Sequence, residues 1–338
     1  MSRAATQATR ARARFPDVAP DSGHYESFYL KAAHPDRPLA VWVRYTVHKA
    51  PGAAAHGSLW FTLFEGGGGG PLASKVTLAP AELGASDGTY VTIGESVFAP
   101  DHVEGHAPSD RLDASWALEV EPGEDPYRHL PRDWMYRTAI PRTKLESPHP
   151  ATHFSGSVSV GERTIELDGW SGMVGHNWGA QHAERWIWLH GADFAGRGSD
   201  TWLDAALGRI KLGPATTPWI ANGVLTLDGA RHRLGGIERM RSTKVGETPH
   251  GCEVVLPGRE LTVFGRVRAG AADRVGWVYA DPDGSEHNTI NCSIARMDLT
   301  VRRKGGPDVE VETAHGATYE LGMRERDHGV EIQPFPDG

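Results

Sequence analysis

The chain has 338 residues, 39% of them hydrophobic, with a formal net charge of -8 at pH 7. That length accommodates two domains or one large all-β unit, and the acidic balance argues against nucleic acid as the main partner. No run reaches the roughly 18 apolar residues of a spanning helix, and Cys252 and Cys292 are too few for a disulfide scaffold or a cysteine-based zinc site.

Residues 1–20 carry Arg3, Arg10, Arg12 and Arg14 and no acid before Asp17. They lack the apolar core of a secretory signal, so a disordered tail is expected. A basic arm on a membrane surface is the sharper alternative, with few charges to support it. Residues 39–48 alternate, placing Val41, Val43, Tyr45 and Val47 on one strand face and Trp42, Arg44, Thr46 and His48 on the other. A second strand, 58–64, runs into Glu65 and five glycines, a flexible hairpin loop. Short strands follow at 90–98, 114–120, 155–160 and 164–167, punctuated by Gly, Pro and Asp. The stretch 121–150 is rich in Pro, Arg and His and reads as a long connection between sheets.

Residues 169–194 concentrate aromatic and imidazole groups. Gly175-His-Asn-Trp-Gly179 reads as an irregular turn with polar side chains at its tip. Trp186, Trp188 and His190 then alternate as same-face strand residues. Aromatic walls with a polar end define a pocket for an apolar ligand. A helical period is discernible only at 202–210. Further strands are read at 219–227, 231–234, 251–256, 261–267, 275–280, 288–301, 309–312 and 317–324, with Asp281-Pro-Asp-Gly284 as a hairpin turn. The spacing predicts an all-β protein of two barrel or sandwich units, with N-terminal and C-terminal domains at 21–200 and 201–338.

Glu26-Ser-Phe-Tyr-Leu-Lys-Ala32 followed by Trp42-Val-Arg-Tyr45 resembles the opening strands of a lipocalin-like tandem β-barrel family. That family includes hydroxyneurosporene synthase (carotenoid hydratase) and AttH-like proteins, with tocopherol cyclase more distant. Phe154-Ser-Gly-Ser-Val, Asp168-Gly-Trp, Gly175-His-Asn-Trp-Gly179 and Trp186-Ile-Trp-Leu-His-Gly191 are similar to its central signature. Over 201–338 the likeness is diffuse. It implies two packed lipocalin-like units whose pocket takes isoprenoid or other lipophilic molecules. Members range from hydratases and cyclases to proteins with no established activity, so fold does not settle function. In one respect the chain departs from the family: related sequences often place an acid immediately before the turn histidine, where this chain has Gly175. Acid chemistry would then fall to Glu26, Asp168, Glu184 or Asp193, with His176.

His176, Asn177, Gln181, His182, Glu184 and His190 invite a zinc reading, but their spacing matches no compact signature, and hydrogen bonding is the favoured role; no metal or cofactor is expected. Trp178, Asn177, Trp186, Trp188, His190, Trp42 and Arg44 are the candidate ligand contacts, although core packing accounts for each Trp about as well. Arg44 would recognise a carboxylate headgroup or, as the favoured reading, pair with Glu26. No Gly-x-Ser-x-Gly elbow and no dinucleotide fingerprint occur. Hydration, cyclisation or isomerisation needs a carboxylic acid held protonated by an apolar setting, aromatic faces and controlled water. His176, Glu184, Asp193 and Glu26 are the catalytic candidates. The rival is a non-catalytic carrier of a hydrophobic ligand. A cytoplasmic location with reduced thiols is expected, and homo-oligomerisation is left open.

Overall fold

The computed structural model describes residues 11–335. The first sheet contains β1 (His24–Ala33), β2 (Leu39–Lys49), β3 (His56–Glu65), β4 (Leu72–Leu78), β5 (Leu83–Gly84), β6 (Val91–Ile93) and β7 (Ser96–Phe98). It continues with β8 (His102–Pro108), β9 (Asp113–Val120), β10 (Tyr127–Arg128), β11 (Thr143–Val160) and β12 (Arg163–Gly179). Its order is β4-β3-β2-β1-β12-β11-β9-β8-β7-β6-β5, with β10 added to β11. The Ser74 hydroxyl of β4 donates to the Ala107 carbonyl of β8 at 2.7 Å, drawing the two arms into a near-barrel.

The second sheet begins with β13 (Arg185–Gly191) and β14 (Trp202–Arg209); a small ribbon of β15 (Lys211–Leu212) and β16 (Ala215–Thr216) stands apart from it. It resumes with β17 (Ile220–Leu227), β18 (Ala230–Gly235), β19 (Lys244–Thr248), β20 (Gly251–Pro257) and β21 (Leu261–Arg268). It ends with β22 (Val275–Ala280), β23 (Glu286–Arg303) and β24 (Val309–Met323), in the order β18-β17-β14-β13-β24-β23-β21-β20-β19 with β22 on β23. The architecture is the expected all-β, two-unit fold. The chain passes between sheets at residues 180–184, ahead of the boundary expected near 200, so β13 belongs to the second sheet.

Alternation explains how the sheets join. Val41, Val43, Tyr45 and Val47 enter the first sheet's own core. Trp42, on the opposite face of β2, packs with Trp60, Phe64 and Met173 among second-sheet residues. Trp60 meets Trp277 edge-on at 5.0 Å. Both faces of β2 are therefore buried.

Four expectations are corrected. The 202–210 segment is strand β14, because pairing with β13 and β17 outweighs a weak helical period. The 121–150 connection ends at Thr143, where β11 begins; register shifts between Glu146 and Thr152 accommodate Pro148 and Pro150. Gly175 to Gly179 is strand, paired with β1 throughout and with β11 from His176 to Gly179. Within the expected disordered tail, residues 11–17 are seated by the Arg14 and Phe15 backbone N–H groups, which donate to the Glu26 carboxylate at 2.8–2.9 Å. Arg3 and Arg10 lie outside the described residues.

Cys252 and Cys292 are free and buried, and burial pushes both thiols up to about 12. Among the described residues no helix is long and apolar enough to cross a membrane.

Candidate functional site

Between the two sheets lies a cavity of about 740 Å³. Two wall rings are held by glycines across the strand ladder. Tyr29 pairs with Gly175 and Trp186 with Gly322. A Cβ at 175 would stand 2.2 Å from the Tyr29 ring, and one at 322 would stand 2.1 Å from Trp186. Gly175 is thus the space that Tyr29 occupies, which is why an acid does not fit there. Gly175→Ala is expected to cost about 1–3 kcal/mol in urea denaturation, and markedly less when combined with Tyr29→Ala; equal costs in both backgrounds would sink this account.

Of the candidate residues, Asn177, Glu184, Trp186, Trp188, Trp42 and Arg44 line this cavity. The structure brings them together from β2, β12, β13 and the 180–184 link. Trp188 meets Tyr29 edge-on at 5.1 Å. Glu184 lies 3.6 Å from Arg324. Arg44 does not pair with Glu26; its Nε donates to the Ser27 hydroxyl at 2.7 Å, and its guanidinium stacks 3.9 Å over Tyr279.

Glu26, His176 and Trp178 stand elsewhere, in a closed stack. His176 is fully buried, 4.0 Å from the Phe28 ring and 4.4 Å from Trp178. Its Nε2 lies 2.8 Å from Glu26 and its Nδ1 3.2 Å from Glu146. Burial disfavours the charged ring, yet these two carboxylates hold its pKa above the ordinary value. Burial likewise opposes ionisation of Glu26, but His176 and His24 hold it down at about 2. Of the remaining candidates, His190 contacts the Pro150 carbonyl at 3.0 Å, and burial lowers its pKa to about 4. Asp193 accepts from the Ser171 hydroxyl at 2.6 Å beside a separate cavity of about 100 Å³. Asp168 is exposed.

His182 has a more chemical setting. It lines the cavity, stacked at 3.9 Å on Tyr25 and 5.3 Å from Trp186. Its backbone N and its Nδ1 both lie 2.7 Å from Asp281 Oδ1. A carboxylate only accepts, so Nδ1 donates to it, and in the neutral form of the ring Nε2 is the nitrogen with the lone pair. Nε2 has no hydrogen-bond partner among the described residues. Burial raises the Asp281 pKa, but the bonds and charge of His182 outweigh it and hold the carboxylate ionised. His287, against Trp186 at 5.0 Å, is driven to about 3 by burial and by the charges of His182 and Arg324, and so stays neutral. His182, Asp281 and His287 offer ligand atoms within 4.8 Å of one another and are the described residues that could hold a metal. The hydrogen-bond lengths at Asp281 are those of an Asp–His dyad.

Sequence reasoning missed Asp281, which it read only as a turn residue, and Glu320. Glu320 accepts from Trp186 Nε1 at 3.0 Å, Asn291 Nδ2 at 3.1 Å and the Tyr279 hydroxyl at 3.3 Å. A glutamate between Tyr319 and Leu321 within an apolar strand was the available signal. The expectation of a carboxylic acid kept protonated finds no support: every carboxyl with a resolved shift is lowered, not raised. The phenols move the other way. Burial raises Tyr29 and Tyr25, which remain neutral donors in the cavity wall.

The fold and cavity define an all-β protein of two joined units with an aromatic chamber between its sheets. No family model matches the chain. It is 27% identical over 314 residues to uncharacterized proteins of Mycobacterium tuberculosis strains CDC 1551 and H37Rv, covering 90% of this chain and 87% of theirs. Among solved structures, a putative AttH from Nitrosomonas europaea superposes with a TM-score of 0.55 at 12% identity, over 93% of this chain and 97% of that one, a likeness of fold. Kievitone hydratase from Nectria haematococca reaches a TM-score of 0.49 at 8% identity over 89% of each chain, too little to carry an argument.

Proposed function

We propose that the inter-sheet cavity binds a lipophilic isoprenoid- or polyketide-like molecule and that the His182–Asp281 dyad moves a proton on it, in a hydration, cyclisation or isomerisation. The observation that carries this reading is a carboxylate-oriented imidazole in the wall of an aromatic chamber. Asp281 sets the tautomer and stabilises the imidazolium formed when Nε2 takes a proton. Trp186, Trp188 and Tyr29 offer aromatic faces to developing positive charge. Ile140, Ile210, Leu212 and Ile237 line the same cavity and are exposed, an apolar rim suited to a hydrophobic ligand. In this reading His176, Glu26 and Glu146 support the fold behind the site.

The test is mass spectrometry of organic extracts from freshly purified wild type and from Trp186→Ala/Trp188→Ala. A lipophilic compound held by the wild type and lost from the variant is the expected result. Incubating that compound with the protein in deuterated, ¹⁸O-labelled water should then introduce label. Binding without any label would leave a carrier.

A further inference from the structure

The cavity-lining face of β2 holds two buried N–H groups, Arg44 Nη1 and Trp42 Nε1, that no described residue accepts from. Trp42 and Arg44 are two residues apart and line the same chamber. Arg44 is only 4% exposed. Apart from the bond to Ser27 and its stacking on Tyr279 and Trp60, its guanidinium has no polar partner among the described residues, and Nη1 is buried and unpaired. Trp42 Nε1 is buried and unpaired too. Glu26 is occupied by His176, His24 and the 11–17 segment. Glu320, in the same cavity, is held by Trp186, Tyr279 and Asn291. A buried cation without a counter-charge is strongly unfavourable unless a ligand supplies one.

We propose that Trp42 and Arg44 form an anion subsite and that the cavity's ligand is a lipophilic monocarboxylate, its carboxylate held by the Arg44 fork and its chain by the aromatic walls. One guanidinium and one indole N–H match a single planar anion better than a multiply charged phosphate. The proposal rests on the reading that the cavity binds a lipophilic molecule, and it adds the chemistry of that molecule's polar end.

A matched pair of probes tests it: farnesoate and farnesol, titrated against the full chain with tryptophan fluorescence as readout. Wild type is expected to bind farnesoate roughly 10–100-fold more tightly than farnesol, the worth of a charge-assisted pair. Arg44→Gln should abolish that preference while leaving the farnesol affinity within a few-fold. Trp42→Phe, which keeps a ring but removes the N–H, should reduce the preference part of the way and serves if Arg44→Gln does not fold. Equal binding of the two probes by wild type, or a preference that survives both substitutions, overturns the anion subsite and leaves the lipophilic cavity standing. Failure of wild type to bind either probe overturns the cavity reading, and the subsite with it.

Discussion

His176→Phe is expected to destabilise the protein by about 3 kcal/mol, the low end of the cost of breaking a buried pair, because Glu26 keeps its backbone N–H donors and His24. Phenylalanine keeps the flat stack between Phe28 and Trp178 but strips Glu26 and Glu146 of the imidazolium between them. Adding Glu26→Gln and Glu146→Gln should recover much of the loss, because replacing a whole buried ion cluster is far milder than breaking it. Chemical denaturation of the single and triple variants measures both effects; a triple variant no more stable than the single one would refute the electrostatic account. The same cluster shapes the pH profile. Glu26 has a folded pKa of about 2 against an ordinary 4.5, so its contribution is complete above 4.5 and is lost as pH falls towards 2. His176 is raised above its ordinary 6.5, so its contribution is complete below 6.5 and is lost as pH rises through the folded value. The alkaline decline should be weaker in His176→Phe.

The second large effect concerns turnover. With a substrate identified, His182→Gln should lower kcat by roughly 10²–10⁴-fold, the usual worth of a positioned acid–base group. Ligand affinity should change only a few-fold, since Tyr25, Trp186 and the rest of the chamber remain. Asp281→Asn should act in the same direction, because an amide that donates to Nδ1 would turn the lone pair away from Nε2. Both variants must be compared with wild type in kcat and in KM separately. A fall confined to KM, or full activity in both, would remove the dyad from the chemistry and favour a carrier.

Much of the fold was legible because strand side chains alternate with a period of two. The faces of β2 follow directly from residues 39–48, and Asp281-Pro-Asp-Gly284 does sit between β22 and β23. The pocket was legible only in part. Trp186 and Trp188 line it, yet His190, on the same face, ends beside Pro150 in a different environment. The aromatic density around residues 169–194 marked two neighbouring places at once: the closed stack on His176 and the open wall at Trp186. Composition could not separate them, because both use the same residue types.

By itself the sequence determined the all-β class, the two-unit size and the aromatic character of the strand that walls the cavity, since pattern and turn chemistry are local properties. Only the tertiary structure decided which polar groups meet. His182 and Asp281 are 99 residues apart and come together where the second sheet folds back on the 180–184 link. Arg44 cannot meet Glu26 because the β1–β2 register pairs Glu26 with Val47 and Arg44 with Tyr29, which sets the two side chains on opposite faces of the sheet. Gly175 is a glycine because a tyrosine from the neighbouring strand fills its side-chain space. Each outcome depends on register and packing between segments distant in the chain, which local periodicity does not encode.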